Sequence, residues 1–117
     1  MYSITKRFSF SAAHKLDHLA DDHPCNHVHG HNYRVEVVLQ SARLNNDDMV
    51  RDYHDLNEFK RYLDECLDHT YLNEVISRPA TAENLAFILF QVARVIAPEV
   101  VAVRVSETEA TWAEYRL

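Results

Sequence analysis

The sequence predicts an α+β domain: a four-stranded antiparallel sheet carrying two helices on one face. Three observations point to it. Apolar residues alternate along residues 2–14 and 31–39, and again along 101–105 and 111–117, as in strands with one buried side. Between those stretches apolar residues recur twice at helical spacing. Turn-forming polar runs and prolines fall between the periodic segments rather than inside them. The order is strand, strand, helix, helix, strand, strand.

In the first strand Tyr2, Ile4, Phe8, Phe10 and Ala12 share one parity, and His14 completes the series. The polar segment Asp17 to Asn26, with Asp21-Asp22 and Pro24, reads as a loop. The second strand buries Tyr33, Val35, Val37 and Leu39 and turns Arg34, Glu36 and Gln40 outward; His29 and His31 share its buried parity. Asn45-Asn46-Asp47-Asp48 is a turn. Asp55, followed three residues on by Glu58, reads as the cap of a helix whose face is Leu56, Phe59, Leu63, Cys66 and Leu67. Thr81 caps a second helix with a face of Leu85, Ile88, Leu89, Val92 and Ile96, ended by Pro98. Val101, Val103 and Val105 form the third strand and Thr111 to Leu117 the fourth. Two helices can cover only one face of the sheet. Val38, Ala102 and Trp112 fall on the other, so association between copies is expected.

Composition narrows the function. The 117 residues are one domain, residues 1–117. A net charge of −6 without a basic stripe argues against a nucleic-acid surface, and no apolar run approaches a membrane span. The segment Met1–Phe8 lacks the apolar stretch of a secretory leader, so the expected location is cytoplasmic. Of the two cysteines, Cys66 is expected to be a buried structural thiol, and no Cys25–Cys66 disulfide is expected in a reducing compartment.

Six of the eight histidines lie between residues 14 and 31, and the only glycine, Gly30, separates His29 from His31. His29 and His31, two apart on a strand, present two imidazoles to one side, and His14 can add a third from the neighbouring strand. Three protein ligands with a fourth position open is the pattern of a catalytic zinc site. Gly30 would permit close backbone approach or an unusual dihedral. His18, His23 and His54 sit in polar surroundings and are expected in solvent; His27 stays unassigned. Cys25 has two readings, a fourth ligand that would close the site or a base facing a substrate, and spacing does not choose between them. Asp68-His69 can form a carboxylate–imidazole proton relay, although such pairs are common at helix ends. Glu107 extends the buried parity of Val101, Val103 and Val105. A carboxylate there would need a partner such as a planar edge with two N–H donors, unless the strand has already ended.

Five motifs stand in order: Phe8-x-Phe10-x-Ala12-Ala13-His14, Cys25-x-x-x-His29-Gly30-His31-Asn32, Leu67-Asp68-His69-x-x-Leu72-Asn73, Pro79-x-Thr81-x-Glu83-Asn84-Leu85 and Ser106-Glu107-Thr108. Together they resemble the 6-pyruvoyl-tetrahydropterin and 6-carboxytetrahydropterin synthases over nearly the whole chain. The resemblance implies the tunnelling fold, ring-like oligomers (commonly hexamers) and active sites between subunits. It implies Zn²⁺ on His14, His29 and His31, one per chain. It assigns Cys25 as general base, His69 as its proton-handling partner oriented by Asp68, and Glu107 as anchor of the pyrimidine edge of a pterin, with Thr81 assisting. Three residues between Cys25 and His29 resemble the carboxy-forming enzymes, whereas the pyruvoyl-forming ones typically have five. The glutamate of variants in folate synthesis does not occur between Pro24 and His31, and Asp48 stands where many relatives have glycine before Met49-Val50.

The implied activity is conversion of 7,8-dihydroneopterin triphosphate to 6-carboxy-5,6,7,8-tetrahydropterin, acetaldehyde and triphosphate, toward queuosine and related deazapurines. Position alone suggests Lys15 and Arg7 for the triphosphate. The alternatives are the pyruvoyl-forming reaction on the same substrate and a non-catalytic, histidine-rich metal-binding module.

Overall fold

The computed structural model describes residues 1–117. Strands β1 (Tyr2–His14) and β2 (His29–Ser41) pair antiparallel along their full length, from Tyr2 opposite Ser41 to His14 opposite His29. The two-residue β3 (Thr70–Tyr71) joins the free edge of β1 in parallel. Strands β4 (Val100–Thr108) and β5 (Thr111–Arg116) complete a sheet of order β3-β1-β2-β4-β5. The four expected strands are therefore present, and the sheet is a five-stranded mixed one instead of a four-stranded antiparallel one. A two-residue strand has no periodicity to betray it. It exists because the backbone N–H of His69 donates to Ser11 O at 2.6 Å, laying the chain against the β1 edge.

The inward faces of β1 and β2 supply Phe8, Phe10, Tyr33, Val35, Val37 and Leu39 to the core, as alternation requires. Helices α1 (Asn57–Tyr62) and α3 (Ala82–Ile96) cover that face with Phe59, Leu85, Ala86, Leu89 and Phe90. Thr81 caps α3 as expected, its hydroxyl accepting the Asn84 N–H. A short α2 (Leu72–Val75) follows β3 and buries Leu72.

The first helical segment departs from expectation at both ends. Its cap is Asp52, not Asp55: the Asp52 carboxylate accepts the His54 N–H and starts a 3₁₀ turn, Tyr53–Leu56, ahead of α1. At the other end α1 widens into a π-helical turn, Leu63–Leu67, closed by the Asp68 N–H donating to Leu63 O. In that wider turn each residue advances less around the axis, so Leu63 and Leu67 stay buried while Cys66 swings outward. Cys66 is consequently exposed, not the buried thiol expected, and both cysteines are free.

A bulge between Val38 and Leu39 sets Leu39 opposite Val100, so Val100 takes the inward place expected of Val101. Val103 and Val105 point inward as expected. On the outer face Glu36 bonds both Arg7 (2.7 Å) and Arg104 (2.6 Å), and the Arg104 guanidinium lies 4.8 Å from the Trp112 ring. No helix covers this face. No helix of the chain is long and apolar enough to cross a membrane.

Candidate metal centre and adjoining clefts

His14 is the last residue of β1 and His29 the first of β2, and the register makes them direct partners; His31, two residues on, faces the same side. Their ligand atoms lie within 4.8 Å of one another. His14 Nε2 is 2.8 Å from His29 Nε2 and 3.1 Å from His31 Nε2. Imidazole nitrogens around a tetrahedral cation with bonds of 2.0–2.1 Å stand about 3.3 Å apart, so the spacing fits one divalent ion.

The rear nitrogens sharpen that fit. His14 Nδ1 is 2.7 Å from Ala80 O and His29 Nδ1 is 2.8 Å from His27 O. A carbonyl only accepts, so each Nδ1 carries the proton and each Nε2 presents a lone pair to the common centre. This is how proteins set the tautomer of metal-binding histidines. His14 is fully buried, whereas His29 and His31 are half-buried and open toward solvent. Burial holds the His31 pKa below its ordinary value, with Glu107 opposing and the other two histidines adding to the depression. Cys25 is not among the converging groups; the cluster that can hold a metal consists of the three imidazoles.

Cys25 sits in the loop between β1 and β2, half-buried. Its carbonyl accepts the Leu16 N–H at 3.0 Å and its N–H donates to His23 Nδ1 at 3.0 Å, which ties it beside the chain just beyond His14. Asn26 braces the loop through Nδ2 to Leu19 O, 3.0 Å. His18, His23, His27 and His54 are exposed, and His27 contributes its carbonyl rather than its ring.

Glu107 lies on the same face as the triad, half-buried, with Oε2 3.5 Å from His31 Nε2. It lines a cleft of about 200 Å³ with Ala82, Glu83, Val105 and Trp112. Its strand has not ended: β4 runs on to Thr108. Thr81 is half-buried, and its hydroxyl, though accepting from Asn84, keeps a proton to donate.

Asp68 and His69 form the expected pair, Asp68 Oδ2 to His69 Nδ1 at 2.8 Å. The other carboxylate oxygen accepts the Ser11 N–H at 2.8 Å. That backbone bond first, and the His69 ring second, hold the Asp68 carboxyl below the usual carboxylate range. His69 adopts a left-handed backbone, φ 60°, and its ring is largely exposed. It lines a cleft of about 430 Å³ with Ser11, Ala13, Gly30, His31 and Asn32. Ser11, Ala13 and Asn32 have the parity opposite to His14 and His31, and the cleft reaches His31 as well. His69 is not among the groups that converge with the triad. Gly30 needs neither explanation first given for it: its φ is not left-handed, and a Cβ would meet only Ala12 O, at 3.5 Å. Arg7 is not brought to the triad; it points to the outer face and pairs with Glu36.

Three contributors escaped the sequence reading. Ala80 acts through its carbonyl, which leaves no residue-type signal. Asn73 clamps the backbone of Lys15, accepting its N–H at 2.9 Å and donating to its carbonyl at 2.6 Å. Tyr33 looked like an ordinary core aromatic; its hydroxyl stands 3.2 Å from His14 Nδ1. Burial, with the Glu107 charge second, pushes that hydroxyl's pKa far up, so it stays neutral.

Known proteins with this pattern agree with the geometry. The family model described as 6-pyruvoyl tetrahydropterin synthase matches residues 3–117. A protein of Archaeoglobus fulgidus provisionally named 6-carboxy-5,6,7,8-tetrahydropterin synthase is 40% identical over 92% of this chain and 90% of its own. The 6-carboxy-5,6,7,8-tetrahydropterin synthase of Synechocystis is 34% identical over 98% of this chain and 93% of its own. The structure of Caenorhabditis elegans 6-pyruvoyl tetrahydropterin synthase superposes with a TM-score of 0.87 at 26% identity, covering 99% of this chain and 95% of that one. The chain belongs to the 6-pyruvoyl tetrahydropterin synthase family.

Proposed function

We propose that this protein is a zinc-dependent lyase converting 7,8-dihydroneopterin triphosphate to 6-carboxy-5,6,7,8-tetrahydropterin, acetaldehyde and triphosphate, in the route to queuosine and related deazapurines. The observation that carries the reading is the triad itself: three imidazoles whose Nε2 atoms converge while backbone carbonyls hold the rear nitrogens of two of them. The full-length similarity to proteins named as 6-carboxy-5,6,7,8-tetrahydropterin synthases supports the choice of product.

His14, His29 and His31 would hold the ion, which when bound polarises hydroxyl oxygens and makes neighbouring bonds more acidic. Cys25, as thiolate, takes a proton from the substrate side chain. His69 delivers or accepts the next proton while Asp68 fixes its orientation. Glu107 accepts the two N–H donors of the pyrimidine edge, and Thr81 donates its spare hydroxyl proton nearby. Lys15, clamped beside His14, is the better triphosphate candidate, because Arg7 is paired with Glu36 on the other face. As the family resemblance implies, the complete site is assembled from more than one copy, with a ring-like homohexamer the expected form and the cytoplasm the expected place.

Product analysis tests this reading. Zinc-loaded protein incubated with 7,8-dihydroneopterin triphosphate is expected to release acetaldehyde and a 6-carboxy pterin. A pyruvoyl product without acetaldehyde assigns the sister reaction instead. Several weakly bound metal equivalents and no turnover would make the protein a metal-binding module.

A further inference from the structure

Tyr33 is wholly buried in β2, its ring stacked on Phe10 at 4.9 Å and 11°. Its ring meets His31 edge-on at 5.5 Å and His14 at 6.1 Å. A phenyl ring would make all these contacts equally well. What tyrosine adds is the hydroxyl, and its one hydrogen-bond partner is His14 Nδ1, at 3.2 Å. Burying a hydroxyl is unfavourable unless it is bonded, so its position next to that nitrogen calls for a use.

We propose that Tyr33 is a positioning residue for the metal ligand His14. Its hydroxyl oxygen and the Ala80 carbonyl share the Nδ1–H of His14, and two acceptors limit rotation of the ring more narrowly than one. The ring is thereby set with Nε2 toward His29 and His31 before any ion arrives. This rests on reading the three histidines as metal ligands. Tyr33 itself touches neither ion nor substrate; it acts through His14.

The test is Tyr33→Phe, titrated metal-free with Zn²⁺ against a chelating dye. Loss of such an outer-shell hydrogen bond typically weakens metal binding 10–100-fold, and about tenfold is expected here, with one ion per chain retained. Phe10→Leu is the packing control: it disturbs the same stack, should lower Tm, and should leave the affinity within about twofold of wild type. Wild-type affinity in Tyr33→Phe, or an equal loss in Phe10→Leu at matched stability, overturns the proposal. Should Tyr33→Phe not fold, NMR of the metal-free wild type decides: a slowly exchanging Tyr33 hydroxyl proton with a cross-peak to His14 Hδ1 is expected, and its absence overturns the proposal. Failure of the wild type to bind Zn²⁺ overturns the metal reading itself, and the role of Tyr33 with it, which separates the two outcomes.

Discussion

The ring of His14 donates through Nδ1 to the carbonyl oxygen of Ala80 at 2.7 Å, across 66 residues of chain. That bond ties the end of β1 to the residue before the cap of α3, so the buried ligand belongs to the tertiary structure as much as to its own strand. His29 donates its equivalent bond to the carbonyl oxygen of His27, two residues away.

The difference separates stability from metal binding. His14→Ala should abolish tight metal binding and also leave Ala80 O without its partner, at a cost of about 1–3 kcal/mol. His29→Ala should abolish metal binding with little change in the Tm of the metal-free protein. Metal content by atomic absorption and thermal melts of both metal-free variants check the pair; equal destabilisation by both would contradict the asymmetry.

Cys25→Ala should keep one metal ion per chain, because its thiol is not among the three converging groups. A positioned base contributes about 10²–10⁴ in rate, and turnover should fall by that order. Metal loss in this variant would instead identify sulfur as a ligand.

Asp68→Asn should retain the bond from Ser11 N–H but lose the charged acceptor facing His69 Nδ1. The imidazole then loses the group that selects its tautomer, and kcat should drop on the order of 10²-fold with KM little altered. Steady-state kinetics check this, and an unchanged kcat would remove Asp68 from the relay.

Acid stability reports a different pair. Arg51 bonds Glu99 through two nitrogens, at 2.7 and 3.3 Å, and chiefly this holds the Glu99 carboxyl below its ordinary value of 4.5. A depressed carboxyl binds its proton more readily in the unfolded chain. Its stabilisation is therefore complete above the ordinary value and is lost as pH falls through the lower folded one. Glu99→Gln should cost about 1 kcal/mol at pH 7 and converge toward wild type in acid. Urea unfolding at pH 7 and at about pH 3 measures both ends; a constant difference between the curves would assign the loss to packing.

Alternation was enough to locate β1, β2, β4 and β5 and to bring His14, His29 and His31 to one face, because side-chain parity in a strand depends only on neighbours in sequence. The Thr81 cap was legible for the same reason: a hydroxyl reaching the N–H three residues on is a local event. The exposure of Cys66, the inward turn of Val100 and the strand Thr70–Tyr71 were not legible. Each follows from a wider helical turn, a bulge or an edge bond that only packing selects.

Residue identity and spacing thus sufficed for the fold class, the family and the three imidazoles. Tertiary packing alone brought the Ala80 carbonyl and the Tyr33 hydroxyl to the His14 ring. The physical reason is range. Periodicity is written between residues a few positions apart, whereas a carbonyl or hydroxyl arriving from far along the chain carries no pattern until the core has closed around it.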